Sequence, residues 1–567
     1  MLRRSLPRAR ADRDATDALS SPSSTAAREA PSPNATRSDR VAVACLALLA
    51  VLPHIGALAN GFAWDDGFIV LSNPIVRAGD VLGALRAPWW PDASTFTGSG
   101  LYRPVSSAAL ALQWGLWGER ASLFHLVGLA LHAGVVVLLF VLLRGWVSTW
   151  AASAGTAVFA VHPVHVEAVA NVVGQAELLA GLFTLCGCLL YRRWLDSETM
   201  ASRLVLLSGV VASYALGFGA KEIAVTLPVL VALITILERR PIVRALPVVA
   251  LLGGVLMWML ALRVQVVGSL RGEVTAPELA GLSYTSRIWT GLSLWPDYVR
   301  LLFAPIELVA DYGPAVRFPA ADLDPLVVLG GLILLAVPVS AWALRSRAPL
   351  AALGLGWFVV VILPVSNLIV PAGVILAERS LYLPSVGLAC GVAALGGWML
   401  RLGRLRALVA VATLLCAIFG LRSAARVPVW RDSASVLASL ERSHPESHVV
   451  IRAQAIRDME QGRFDEARAG FERALQLQPL HFSLLTEAAQ FEAVAGGAGP
   501  ARQLALRAIA VYPTSPHGYV VMSRVLRLTG DTAAARSILV EGLRVADPLA
   551  PIWTELERTR VPTEARR

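Results

Sequence analysis

Six short stretches of this chain set acids, histidines and cations directly beside long apolar runs. Asp65 and Asp66 stand together in Phe62-Ala-Trp-Asp65-Asp66, at the end of a run without charge from Val41 to Ala63. Adjacent carboxylates at such an edge suit a general base that takes the proton of an acceptor hydroxyl. The sequence does not choose between the two, and a single acidic pair rarely holds a cation alone. Arg103, in Tyr-Arg-Pro, and Arg379, in Glu378-Arg379, offer planar guanidinium groups that fit phosphate oxygens two at a time. His162-Pro-Val-His165-Val-Glu167 offers hydrogen bonds to phosphate or sugar; a zinc site would need a fourth ligand that is not in sight. Gln175 and Glu177 follow closely. Lys221-Glu222 contains the only lysine among 50 basic residues, which points to a place that needs a compact ammonium. The plainer readings are solvated acids, snorkelling arginines and helix starts at an interface.

The elements that must position these residues are membrane helices. The chain is 56% hydrophobic and 16% charged, well below the charge of a soluble globular protein. Further charge-free runs extend over 121–143, 145–166, 204–220, 348–377 and 380–400. A helix of about 20 apolar residues crosses the hydrocarbon core, so the fold class is all-α and polytopic, with about eleven spans. They are expected near 41–60, 122–143, 147–163, 176–191, 203–219, 222–237, 245–263, 326–344, 348–377, 380–400 and 407–421. The piece 288–304 is expected to lie in the interface or re-enter, with Trp289, Trp295 and Tyr298 at headgroup depth. Residues 1–40 read as a disordered tail, whose eight arginines against five acids keep it cytoplasmic. Arginines at the ends of inward spans agree with that count, and they account for the net charge of +10 without nucleic acid. All six polar stretches then fall on the outer side. The five cysteines lie within spans as packing residues, not as a disulfide framework.

Beyond 426 the sequence turns charged, Ala-rich and helical in period. Gly462, Gly496 and Gly530 are each 34 residues apart, and Pro445, Pro479, Pro513 and Pro548 keep nearly the same step. That is the tetratricopeptide (TPR) period. The domains expected are the tail 1–40, a transmembrane domain 41–425 with its first outer loop at 61–120, outer TPR repeats at 426–550 and a C-terminal tail 551–567.

The order FAWDD, YRPVS, FAVHPVHVEAVANVVGQAELLA, KEIAVTLP, AERSLYLPS and then TPR repeats resembles the transmembrane and tetratricopeptide-repeat protein family. The likeness covers roughly 41–550 and extends to the GT-C class of glycosyltransferases, protein O-mannosyltransferases among them. It implies inverting transfer of a sugar, often mannose, from a polyprenyl-phosphate donor to a protein hydroxyl, with Asp65 and Asp66 as the catalytic pair. Arg103, His162, His165, Glu167, Lys221, Glu222, Glu378 and Arg379 are the candidates for the donor's phosphate and sugar. No cofactor is expected; a divalent metal is conceivable without support. The expected partners are the donor, a protein or glycan acceptor, the bilayer and whatever the repeats bind. The arginine-rich, lysine-poor composition points to the inner membrane of a bacterium. The competing reading is a non-catalytic membrane scaffold that uses the repeats for assembly. A transporter would show paired broken spans at the midplane, which the sequence lacks.

Overall fold

The computed structural model describes residues 33–90, 101–268, 270, 277–279, 281–320, 322–546 and 550–558. Most of the expected N-terminal tail, residues 91–100 of the first outer loop and 559–567 of the C-terminal tail lie outside the described residues. Among the described residues the chain is helical and has no strand.

The first helix, α1 (Pro33–Val51), begins within the stretch expected to be a tail and continues as a 3₁₀ segment to Ala59. Then come α2 (Ala121–Arg144), α3 (Thr149–Ala160), α4 (Gln175–Leu195), α5 (Met200–Ala220), α6 (Leu227–Leu237), α7 (Leu246–Val267), α8 (Pro325–Leu344), α9 (Pro349–Ile362), α10 (Val386–Arg401) and α11 (Leu405–Arg426). Seven helical stretches, containing α1, α2, α4, α5, α7, α8 and α11, are long and apolar enough to cross a membrane. The other four expected spans, α3, α6, α9 and α10, are helices of 12, 11, 14 and 16 residues. At 1.5 Å per residue these are roughly 16–24 Å long, short of a core about 30 Å thick. Among the described residues, length alone thus supports seven of the about eleven expected spans.

Packing explains why the short helices keep their places. Gly354 of α9 and Gly387 of α10 face each other so closely that a Cβ on either would collide with the other's carbonyl oxygen. Gly155 of α3 lies just as close to the Ala389 carbonyl of α10. Small residues let backbones approach where lipid offers no hydrophobic drive. By contrast, α8 leaves Leu335, Val339 and Trp342 about two-thirds exposed, as a lipid-facing helix should.

The piece 288–304 is two helices, Tyr284–Ser293 and Trp295–Phe303, each too short to cross. Trp295 and Tyr298 are packed into protein. Both are buried, with Trp295 packed edge-on against Phe358 of α9. The helix is strongly two-faced, and its aromatic face covers a core.

Beyond α11, α12 (Ser433–Ser443) leads into three helical hairpins. They are α13 (His448–Glu460) with α14 (Phe464–Leu477), α15 (Phe482–Val494) with α16 (Ala498–Val511), and α17 (Pro516–Leu528) with α18 (Thr532–Val545); α19 (Ala550–Arg558) follows. Gly462, Gly496 and Gly530 turn each hairpin at φ 74°, 88° and 88°, a left-handed backbone that glycine adopts without steric cost. Ala467 and Phe471, then Ala501 and Ala505, fill the contacts between helices. In α19 the buried Glu555 receives Arg524, Arg527 and Arg558.

The segment that joins α11 to α12 is latched to the acidic loop. Asn60 Nδ2 donates to the carbonyls of Val427 and Trp430 at 3.3 and 3.2 Å. Gly61 N–H donates to the Arg431 carbonyl at 2.8 Å, and Trp64 N–H to Ser433 Oγ at 2.9 Å. Trp64 itself holds φ 56°, uncommon for a bulky residue and sustained here by these contacts.

Candidate active site

A cavity of about 750 Å³ opens between the ends of α5 and α7, the strap 364–377 that follows α9, and the hairpin stack. Its volume falls within the ~300–1,000 Å³ usual for ligand sites. Asp65, Arg103, Lys221, Glu222 and Arg379 all line it, although they stand as far apart in the sequence as 65 and 379. Glu177 and Arg263 complete its charged lining, so four cations face three carboxylates. The rest of the wall is largely apolar, with Leu256 and Leu260 of α7, Ile369, Val370 and Val374 of the strap, and Trp89 and Trp90.

Arg103, Lys221 and Arg379 are each held by a carboxylate. Arg103 meets Glu222 through two nitrogens, Nε at 3.0 Å and Nη2 at 2.9 Å from Oε2, and its guanidinium lies 5.4 Å from the Trp89 ring. Lys221 Nζ pairs with Glu177 Oε1. Glu167 accepts from both the backbone N–H of Arg379, at 2.9 Å, and its Nη1, at 2.7 Å. That two-point grip turns the guanidinium so that Nη2 reaches Asp65 Oδ2 at 3.5 Å. Paired charges at a partly dry site are oriented in advance of any ligand, and their partners can be traded for phosphate oxygens.

The two aspartates differ in place. Asp65 faces the cavity with a fifth of its side chain exposed. Asp66 is fully buried and gathers three backbone N–H groups: Ala63 at 3.0 Å, Val172 at 3.3 Å and Val173 at 2.8 Å. Burial pushes its carboxyl up to about 7, against the pull of those three donors. Asp66 thus ties the FAWDD loop to the segment 172–173 and sets where Asp65 points.

His162, His165 and Glu378 lie behind the cavity wall and do not line it. His162 donates through Nε2 to the Leu302 carbonyl at 2.9 Å, and its Nδ1 accepts from Val164 N–H at 3.4 Å. The Ser385 hydroxyl donates to the Tyr382 carbonyl, so it accepts from His165 Nε2 at 2.8 Å. Both rings belong to a buried cluster with His132, Phe159 and Tyr382. Glu378 is sealed between Tyr312 Oη at 3.2 Å and Arg426 Nη2 at 3.4 Å, and burial pushes it up to about 7 despite Arg426. Direct donor contact by these three is not what the geometry offers, because none of them lines the cavity. Glu167 reaches the site only through Arg379. Gln175 is likewise committed, to Gln113 and the Phe124 carbonyl.

Three features of the site were not singled out in the sequence. Arg263 was signalled as a charge inside an otherwise apolar run, a position that asks for a function. Asp311 lies near enough to Asp65 and Glu167 to feel both, and burial, reinforced by their charges, pushes it up to about 6. The wall formed by Leu480, His481, Phe482, Ser483, Val511 and Tyr512 had no local signal at all. Among the described residues no group of three or more His, Cys, Asp or Glu side chains could hold a metal ion.

No family model matches the chain. It is similar to human protein O-mannosyl-transferase TMTC1, at 27% identity over 507 residues, covering 78% of this chain and 56% of that protein. It is 25% identical over 358 residues to protein O-mannosyl-transferase F38B6.6 of Caenorhabditis elegans, covering 61% of this chain and 50% of that protein. It is 32% identical over 292 residues to protein O-mannosyl-transferase Tmtc2 of Drosophila melanogaster, covering 47% and 30%. The chain thus spans about half the length, or less, of these curated relatives. Their names agree with the family that the five motifs and the repeats resemble.

Proposed function

We propose that this chain is a multi-pass membrane mannosyltransferase of the inverting GT-C type, taking mannose from a polyprenyl-phosphate donor and passing it to a protein hydroxyl. The observation that carries the reading is the meeting of Asp65, Arg103, Lys221 and Arg379 in one half-apolar cavity. A scaffold has no need to bring a carboxylate and three cations together from four distant segments.

In this reading the acceptor oxygen attacks the anomeric carbon of the donor sugar. The bond from that carbon to the phosphate oxygen breaks, and polyprenyl phosphate leaves with the bond's electron pair. A single displacement inverts the anomeric centre. Asp65 takes the hydroxyl proton, while Arg103, Lys221 and Arg379 offset the charge gathering on the leaving phosphate. Asp66 and Glu167 are positioning residues, acting through Asp65 and Arg379. The apolar lining from α7 and the strap accommodates the first isoprene units. Residues 426–550 form an outer TPR solenoid, and the site faces away from the cytoplasm across the inner membrane.

The test is transfer of labelled mannose from polyprenyl-phosphate-mannose in purified membranes, comparing wild type with Asp65→Asn and Asp66→Asn. Loss of label from protein in Asp65→Asn, with the chain still inserted, supports the reading. Wild-type membranes that transfer no lipid-linked sugar, while the repeats still bind a partner, return the chain to the scaffold class.

A further inference from the structure

The cavity is divided electrostatically. Among the described residues, its seven charged side chains come from the membrane helices and their loops. The hairpin stack contributes Leu480, His481, Phe482, Ser483, Val511 and Tyr512, none of which is an acid, a lysine or an arginine. One side suits a phosphate; the other suits something neutral that needs hydrogen bonds and apolar contact together.

The 34-residue repeat sharpens the point, because each position has counterparts in phase. The residue capping the first helix of each hairpin is Ser447, His481 or Ser515. Ser447 caps α13 through the N–H of Val450, and His481 caps α15 by accepting the N–H of Leu484 on Nδ1 at 3.3 Å. Serine meets the needs of a cap, so the second imidazole nitrogen of His481 is surplus to folding. With Nδ1 an acceptor, the neutral ring carries its proton on Nε2 as a donor. Tyr512 corresponds in phase to Gln478 and Ala546, and it packs edge-on against Phe482 at 5.7 Å. At the cap position the second hairpin alone departs from its neighbours, at the other position all three differ, and His481 and Tyr512 both line the cavity.

The stack is also held in place over the site. Beyond the latch of residues 427–433 to the acidic loop, Gln478 Nε2 donates to Glu278 Oε1 at 2.6 Å. Its wall and the charged groups line one cavity.

We infer that the second hairpin forms the acceptor subsite, and that it takes an uncharged, extended polypeptide segment bearing Ser or Thr, held through His481, Ser483 and Tyr512. A polypeptide backbone supplies the alternating donors and acceptors that such a neutral wall can match. The inference rests on the transferase reading and names the substrate class of its acceptor side.

The experiment measures binding of a fluorescent Ala/Ser/Thr peptide to the full chain in lipid nanodiscs, with Asp65→Asn as background so that no turnover intervenes. The substitutions are His481→Ser and Tyr512→Gln, each installing the residue that a neighbouring repeat carries in phase, so that the cap and hairpin survive. Each is expected to raise the Kd roughly five- to tenfold, the loss of a hydrogen bond or an aromatic contact. An unchanged Kd in both variants, or binding of a neutral oligosaccharide that the peptide fails to displace, overturns the inference. Donor hydrolysis by the wild type, measured without peptide in parallel nanodiscs, reports on the transferase reading separately.

Discussion

The two aspartates of the FAWDD motif make different predictions for stability and for turnover. In Asp66→Ala the N–H groups of Ala63, Val172 and Val173 lose their acceptor in a fully buried place. An unsatisfied buried donor costs about 1–3 kcal/mol, so three of them destabilise the loop on the order of 3 kcal/mol even at the low end. Asp65→Ala removes one partly exposed ion pair at 3.5 Å, a contact worth ~0–1 kcal/mol. It also removes the proposed base, which contributes roughly 10²–10⁴-fold to rate. Thermal unfolding of purified protein in detergent and mannose transfer by the same preparations should therefore cross over. Asp65→Ala keeps its melting temperature and loses turnover. Asp66→Ala melts clearly earlier and loses turnover only as far as the loop sags. A destabilised Asp65→Ala beside a thermally intact but inactive Asp66→Ala would reverse the assignment and refute the reasoning.

Three further outcomes follow from the same geometry. Glu378, raised to about 7 by burial, keeps its proton in the folded chain while the unfolded carboxyl has lost it. Its contribution to stability is thus greatest near pH 4.5 and declines as pH rises to 7, on the order of 3 kcal/mol over that window. The melting-temperature advantage of wild type over Glu378→Gln should shrink across that range, whereas a widening gap would show a carboxylate ionised throughout. Lys221→Met leaves Glu177 buried without its cation and should lower transfer about a hundredfold, the usual cost of one electrostatic stabiliser; Lys221→Arg should not restore it, and full activity in either variant would remove Lys221 from the site. Gly354→Leu would drive a side chain into the Gly387 carbonyl and should yield misassembled protein by size exclusion; a normal elution profile would contradict the close packing of α9 on α10.

The helices were legible because membrane spans are written locally, as runs without charge. Each of the eleven expected segments contains a helix, and what the sequence did not reveal was length. Gly155, Gly354 and Gly387 mark contacts between helices distant in sequence, and a 16-residue helix among small residues looks in one dimension like a full span. The charged wall was legible for a related reason. Lys221 and Arg379 are out of place in apolar surroundings, and burying such groups is costly enough to demand partners. The same signal pointed to His162, His165 and Glu378, where the partners turned out to be Leu302, Ser385, Tyr312 and Arg426. Polarity in a membrane protein reports that a group must be satisfied, not whether a ligand or the fold satisfies it. The neutral wall at His481 and Tyr512 could not be read at all, since ordinary residues on an ordinary hairpin become a wall only by docking across some hundreds of residues.

The latch between the FAWDD loop and the end of the last span joins positions 369 residues apart at Trp64 and Ser433. A ribosome completes Asn60, Gly61 and Trp64 early, but the carbonyls of Val427, Trp430 and Arg431 that fix them are made only after every membrane helix has been synthesised. The acidic loop is thus among the first parts translated and among the last to acquire its shape. A chain stalled, truncated or mis-threaded at any intermediate helix carries both aspartates without the geometry that gives them a task, so assembly order itself withholds the chemistry until the membrane domain is whole.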